Sequence, residues 1–160
     1  MSDIPKKRFI LDTNMLIGFS FWIPINLNNF FWTKFSEYLK NAEWILLDTV
    51  VNEITHKGNL QNWCKEQKRI GTVCILGDEH RSRGVEINNA YKMIDETTLR
   101  STVDTYIIAY AEANKLTVLS REANRETQND LYKIPDVCTA LKIDYVRNPE
   151  PFLQAMGFKN

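Results

Sequence analysis

Apolar runs of three or four residues recur along the chain, and the clearest are closed by a polar or acidic residue. Phe9, Ile10 and Leu11 stop on Asp12, residues 44–47 (Trp-Ile-Leu-Leu) stop on Asp48, and residues 116–119 (Leu-Thr-Val-Leu) stop on Ser120. Runs this short, apolar at nearly every position, predict strands buried on both faces. Residues 143–146 give a last strand, and 73–76 a short β-prone stretch stopped by Gly77 and Asp78. Residues 15–21 stay apolar and aromatic before Pro24 and a cluster of asparagines mark a loop.

Between the runs the spacing turns helical. Phe31, Phe35, Tyr38 and Leu39 share a face within 30–39, and Leu60, Trp63, Cys64 and Gln67 do so within 59–70. Val103, Ile107, Ile108 and Ala111 make the strongest helical stripe, over 102–115. A helix after the second strand is expected to take Thr49 as N-cap, carry Val50, Val51, Glu53 and Ile54, and end at Gly58. Ala90, Met93 and Ile94 suit a helix on either side of Tyr91, and Pro135 suits the first turn of a short one. Residues 123–130 read as a loop or frayed helix, and Pro149 and Pro151 lead into a terminal helix. Strands alternating with helices predict an α/β fold, a mainly parallel sheet of four or five strands covered on both faces with right-handed crossovers. No repeat or linker interrupts the pattern, so residues 1–160 read as a single domain.

Composition narrows the function classes. Twenty basic residues balance twenty acidic ones, so no global field draws the chain onto nucleic acid or an anionic membrane. That argues against a coat-like binder and leaves room for an enzyme with a local basic face. A mild basic excess over 55–83 (Lys57, Lys65, Lys68, Arg69, Arg81, Arg83) reads as solvated surface. Cys64, Cys74 and Cys138 are odd in number and form no metal motif with His56 or His80. They read as reduced thiols of a cytoplasmic protein. No apolar run approaches the ~20 residues needed to cross a bilayer, so no membrane partner is expected.

The acids carry the candidate chemistry. Asp12 and Glu122 lie just beyond strands, while Glu53 and Asp104 are expected in the opening turns of helices. In a parallel sheet all four positions share the carboxyl rim, where α/β folds place their ligands. Clustered carboxylates cannot all stay ionised cheaply without a cation between them. Hard oxygen donors with no histidine or cysteine nearby suit Mg²⁺ or Mn²⁺, and such a site can activate water against a phosphodiester. Plainer readings stand beside this one: Asp12 as a turn or capping residue, and Asp104 and Asp136 as acids favoured by a helix dipole. An aspartyl phosphotransferase is disfavoured, since Asn14 stands where a second acid is usual. A glycine-rich phosphate loop and a serine nucleophile elbow are both missing.

Phe9-Ile-Leu-Asp12-Thr-Asn resembles the opening of a PIN domain, the metal-dependent ribonuclease fold of many bacterial toxins. Val51-Asn-Glu53-Ile resembles the second acidic motif of that family. Asp104-Thr-Tyr-Ile-Ile-Ala-Tyr-Ala111 and Leu116-Thr-Val-Leu-Ser-Arg-Glu122 resemble the third and fourth. The ordered set spans residues 8–146, and Lys133-Ile-Pro-Asp-Val-Cys138 with Phe31-Trp32 resembles a less studied branch. The resemblance implies a three-layer α/β/α PIN-like fold and an Mg²⁺- or Mn²⁺-dependent endoribonuclease. It further implies RNA as substrate and a cognate antitoxin protein as partner, and it allows a homodimer. Asp12, Glu53 and Asp104 would be the metal-binding and catalytic acids. Glu122 stands where the family often has the shorter Asp, which leaves direct ligation and contact through water as alternatives. Asn14, Ser120 (where Thr is frequent) and Asp136 would lie at the edge of the site. Two rival readings remain: a non-catalytic PIN-like module that binds RNA or protein, and a structure-specific DNA nuclease.

Overall fold

The computed structural model describes residues 7–158. Its centre is a four-stranded, wholly parallel sheet in the order β2-β1-β3-β4. The strands are β1 (Phe9–Leu11), β2 (Trp44–Ile45), β3 (Thr117–Leu119) and β4 (Tyr145–Val146). Helices flank the sheet to give a three-layer α/β/α fold: α1 (Thr13–Trp22), α2 (Asn29–Lys40), α3 (Asp48–Asn52), α4 (Asn59–Ile70), α5 (Asp78–Ala90), α6 (Thr102–Asn114), α7 (Ile134–Leu141) and α8 (Pro149–Ala155). Beyond β2, a single parallel bridge between Leu47 and Cys74 extends the sheet edge, so the β-prone residues 73–76 contribute one pairing, not a strand.

Register decides which side chains meet which helices. Phe9 pairs with Trp44 and Thr117, and Ile10 with Ile45 and Val118. Alternation therefore sends Phe9 and Trp44 to one face and Ile10, Ile45 and Val118 to the other. On the first face Trp44 meets Phe19 of α1, Phe35 of α2 and Phe152 of α8, while Phe9 lies edge-on to Phe152. The chain steps from β1 to β2 on one side, then returns across β1 to β3. Right-handed crossovers in opposing directions place their helices on opposite faces, and α6 packs on β1 and β3. The reversal between β1 and β3 is the point at which a parallel sheet opens a crevice at its carboxyl ends.

Three sequence expectations change. Thr49 is not an N-cap: Leu47 holds that position, and the Asp48 carboxylate accepts the Thr49 amide at 2.9 Å and the Leu76 amide at 3.1 Å. The β-branched run Thr49-Val50-Val51 resists helix propagation, and α3 stops at Asn52, well short of Gly58. Glu53 is thus a C-cap residue and not part of an opening turn. The helix expected around Tyr91 is instead α5, which ends at Ala90. Asn88 Oδ1 accepts the amides of both Met93 and Ile94 at 2.9 Å, closing a turn where a helix would have continued.

The fit of α5 against α6 depends on Gly84. A Cβ there would lie 2.9 Å from Thr105 Oγ1 and from the Tyr106 ring. That close approach fixes the helix that carries Asp104. Among the described residues no helix is long and apolar enough to cross a membrane.

Candidate metal centre

Asp12 ends β1 and opens α1 at once. Its amide donates to Leu119 O at 3.0 Å, continuing the β1–β3 ladder by one step. Its carbonyl accepts the amides of Met15 and Leu16, and its Oδ1 accepts the Thr13 amide at 2.7 Å as N-cap of α1. The capping reading of Asp12 is therefore correct as far as it goes. The other oxygen, Oδ2, accepts the Ser120 hydroxyl at 2.7 Å in a buried contact between β1 and the end of β3.

Asp104 is the third residue of α6. The loop before it is wound tightly: Asp95 Oδ1 accepts the amides of Thr97 and Thr98, and Leu99 and Ser101 both adopt positive φ, 58° and 70°. Non-glycine residues in that region cost of order 1 kcal/mol or more and persist where the surroundings over-determine them. The turn sets Ser101 at the N-cap of α6, where its hydroxyl favours the ionised form of Asp104. Glu122 follows β3. Its amide donates to Ser120 Oγ at 3.1 Å, and the Ile134 amide at the start of α7 favours its ionised carboxylate.

These placements bring one carboxylate oxygen each of Asp12, Asp104 and Glu122 within 4.8 Å of one another. Burial, reinforced by the Asp104 and Glu122 charges, pushes the Asp12 carboxyl up to about 8 despite its two hydrogen bonds. Burial and the neighbouring Glu53 charge raise Asp104 to about 6, although Ser101 opposes them. Burial and the Asp104 charge raise Glu122 to about 7, with Lys133 and the Ile134 amide pulling the other way. Three desolvated, mutually repelling acids, with both oxygens of Asp12 fixed by donors, make a site whose charge favours a cation. The donor set is all oxygen. Among the described residues no cysteine or histidine belongs to this group. The residues present therefore fit a hard divalent ion such as Mg²⁺ or Mn²⁺.

The remaining candidates take other places. Glu53 is exposed and stands outside the trio; its Oε1 accepts the Thr13 hydroxyl at 2.5 Å. Glu122, for which the sequence leaves direct ligation and contact through water both open, contributes an oxygen to it. Asn14 Oδ1 accepts the Arg121 amide at 3.1 Å, clamping the strand end onto α1. Ser120 is buried and bridges Asp12 to the Glu122 backbone. Asp136 Oδ2 accepts the amides of Lys133 at 2.9 Å and Arg125 at 3.0 Å, so it caps α7 and gathers the preceding loop. Its charge still contributes to raising Glu122. Ser101 was not visible as a site residue from sequence; a serine three positions before a helical acid is too common to single it out.

Two depressions adjoin the acids. One, of about 640 Å³, lies between α1 with its following loop, including Ile17, Phe21 and Ile25, and residues 53–60, which include Glu53 and His56. The other, of about 560 Å³, carries Glu122 with Arg100, Ser101, Tyr132 and Lys133.

No curated protein and no solved structure matches the chain. A family described as a domain of unknown function, DUF4411, matches residues 9–159. That match spans β1 to α8 and every acid of the candidate site, and the chain belongs to the DUF4411 family.

Proposed function

We propose that this protein is a metal-dependent endoribonuclease of the PIN type, acting in the cytoplasm as the toxin of a bacterial toxin–antitoxin pair. The observation that carries the nuclease reading is the convergence of Asp12, Asp104 and Glu122 within 4.8 Å at the crevice between β1 and β3. The toxin role, the antitoxin partner and the preference for RNA rest on the sequence resemblance.

Asp12, Asp104 and Glu122 would hold one Mg²⁺ or Mn²⁺ ion, with Glu53 at the rim. A bound divalent cation supplies Lewis acidity, lowering the pKa of water for in-line attack on phosphorus and stabilising the leaving oxygen. The chain's own part is preorganisation. The Ser120 hydroxyl and the Thr13 amide fix both oxygens of Asp12. Ser101 favours the ionised form of Asp104, and Lys133 and the Ile134 amide favour that of Glu122. Ligands held in this way need not reorganise when the substrate arrives. A purely binding module is a poorer reading, because it gains nothing from three buried acids that repel one another.

The test is cleavage of matched single-stranded RNA and DNA in Mg²⁺, Mn²⁺ and chelator. The proposal expects RNA to be cut in either metal and spared in chelator. Cleavage of DNA alone would replace it with the DNA-nuclease reading, and no metal-dependent cleavage of either strand would refute it. For the toxin role, inducing the wild-type chain should arrest bacterial growth and Asp104→Asn should relieve the arrest. Equal inhibition by both forms at equal soluble levels would refute that role.

A further inference from the structure

Ser120 and Glu122 both serve the acid centre, but Arg121 between them turns away towards α1. Its guanidinium lies 4.8 Å from the centre of the Trp22 ring, a cation–π distance. Trp22 is 48% exposed, and its neighbour Phe21 is 76% exposed. Among the described residues no carboxylate forms an ion pair with Arg121.

The pair has a built seat. Gly18 lies one helical turn before Trp22, and a Cβ there would meet the indole Cη2 at 3.0 Å and Arg121 Cδ at 3.3 Å. Glycine inside a helix costs about 0.5–1 kcal/mol relative to alanine, and here its missing side chain is the space that both groups occupy. The Asn14–Arg121 hydrogen bond pins the backbone from which the arginine departs. Trp22 is ten residues beyond Asp12, about 15 Å along the axis of α1. The flanking Glu122 belongs to the acid trio. An indole with open surface beside a guanidinium is the combination that holds single-stranded nucleic acid, one stacking on a base and the other meeting a phosphate.

We propose that Trp22 and Arg121, seated on Gly18, form the binding seat for a nucleotide of single-stranded RNA on one side of the acid centre. The inference rests on the nuclease reading for its choice of ligand. Trp22 and Arg121 are positioning residues in this account and touch no reacting atom.

The experiment is binding of a ten-nucleotide single-stranded RNA to the full-length protein in chelator, where the strand stays intact, followed by anisotropy and by tryptophan fluorescence. Trp22→Ala should weaken binding about 5- to 150-fold, the usual range for one stacked base. Trp22→Phe should restore most of the affinity while abolishing the fluorescence change on binding. Arg121→Ala should lower the slope of log affinity against log salt by about one, as expected for one lost phosphate contact. Gly18→Ala, which alters neither group, should reproduce part of the loss by displacing both. If folded Trp22→Phe keeps the fluorescence change and Arg121→Ala keeps the wild-type salt slope, the seat does not exist. Absence of RNA binding by the wild type would also overturn it. Binding with these variant effects but no metal-dependent cleavage would leave the seat standing and remove the nuclease reading. Cleavage by a wild type whose variants bind equally well would do the reverse.

Discussion

The Ser120 hydroxyl donates to Asp12 Oδ2 at 2.7 Å, joining the ends of two adjacent strands that are 108 residues apart in sequence. Ser120 Oγ in turn accepts the Glu122 amide at 3.1 Å, so one small side chain ties the Asp12 carboxylate to the backbone of Glu122. Removing it should loosen both. Ser120→Ala is expected to reduce Mn²⁺ affinity about 10- to 100-fold, the range for losing a group that positions a ligand. Calorimetric titration checks this, and wild-type affinity in the variant would show that Asp12 needs no such support.

The raised carboxyls set the pH dependence of the metal-free protein. Folded Asp12, Asp104 and Glu122 hold their protons to about 8, 6 and 7, against ordinary values of 3.8 for Asp and 4.5 for Glu. Between those limits the folded chain binds more protons than the unfolded chain, so stability falls as pH rises. The melting temperature in chelator should therefore drop from about pH 5 to about pH 8, and added Mn²⁺ should raise it at the upper end. Asp12→Asn should flatten part of the fall and melt higher than wild type at about pH 8 in chelator. A wild-type profile that rises over this window would contradict the account.

The acids also rank differently in space than in sequence. Glu53 sits at the rim on the Thr13 hydroxyl, whereas Glu122 contributes an oxygen to the cluster. Glu122→Gln should therefore weaken Mn²⁺ binding more than Glu53→Gln does. Titrating both variants beside wild type decides the order, and a larger loss in Glu53→Gln would return Glu53 to the first rank.

What the sequence could reveal follows from where its signals are strong. The strand before Asp12, the helix over Asn59–Ile70 and the Thr102–Asn114 helix are marked by sharp apolar patterns, and the structure has them in those places. α1 was not readable as a helix because its residues are apolar on every side and show no period. α5 was missed for the opposite reason: it buries only Gly84 and Ile87, too little to print a stripe. Two of the six basic residues named over 55–83 are held in ion pairs. Arg69 binds Glu66, and Arg83 binds Glu86 and, on α6, Glu112, both beyond the segment. Asp12, Asp104 and Glu122 could be placed on one rim because each adjoins a well-marked element. Glu53 could not be placed as closely, since its position depends on where a five-residue helix stops.

The central claim is that the Asp12 trio binds the ion that cuts RNA. The most direct measurement is Mn²⁺-dependent RNA cleavage by Asp12→Asn beside wild type, with folding of both verified. The substitution removes ligand charge and almost no volume. The account predicts that wild type cleaves and that the folded variant does not; full cleavage by the folded variant would contradict it.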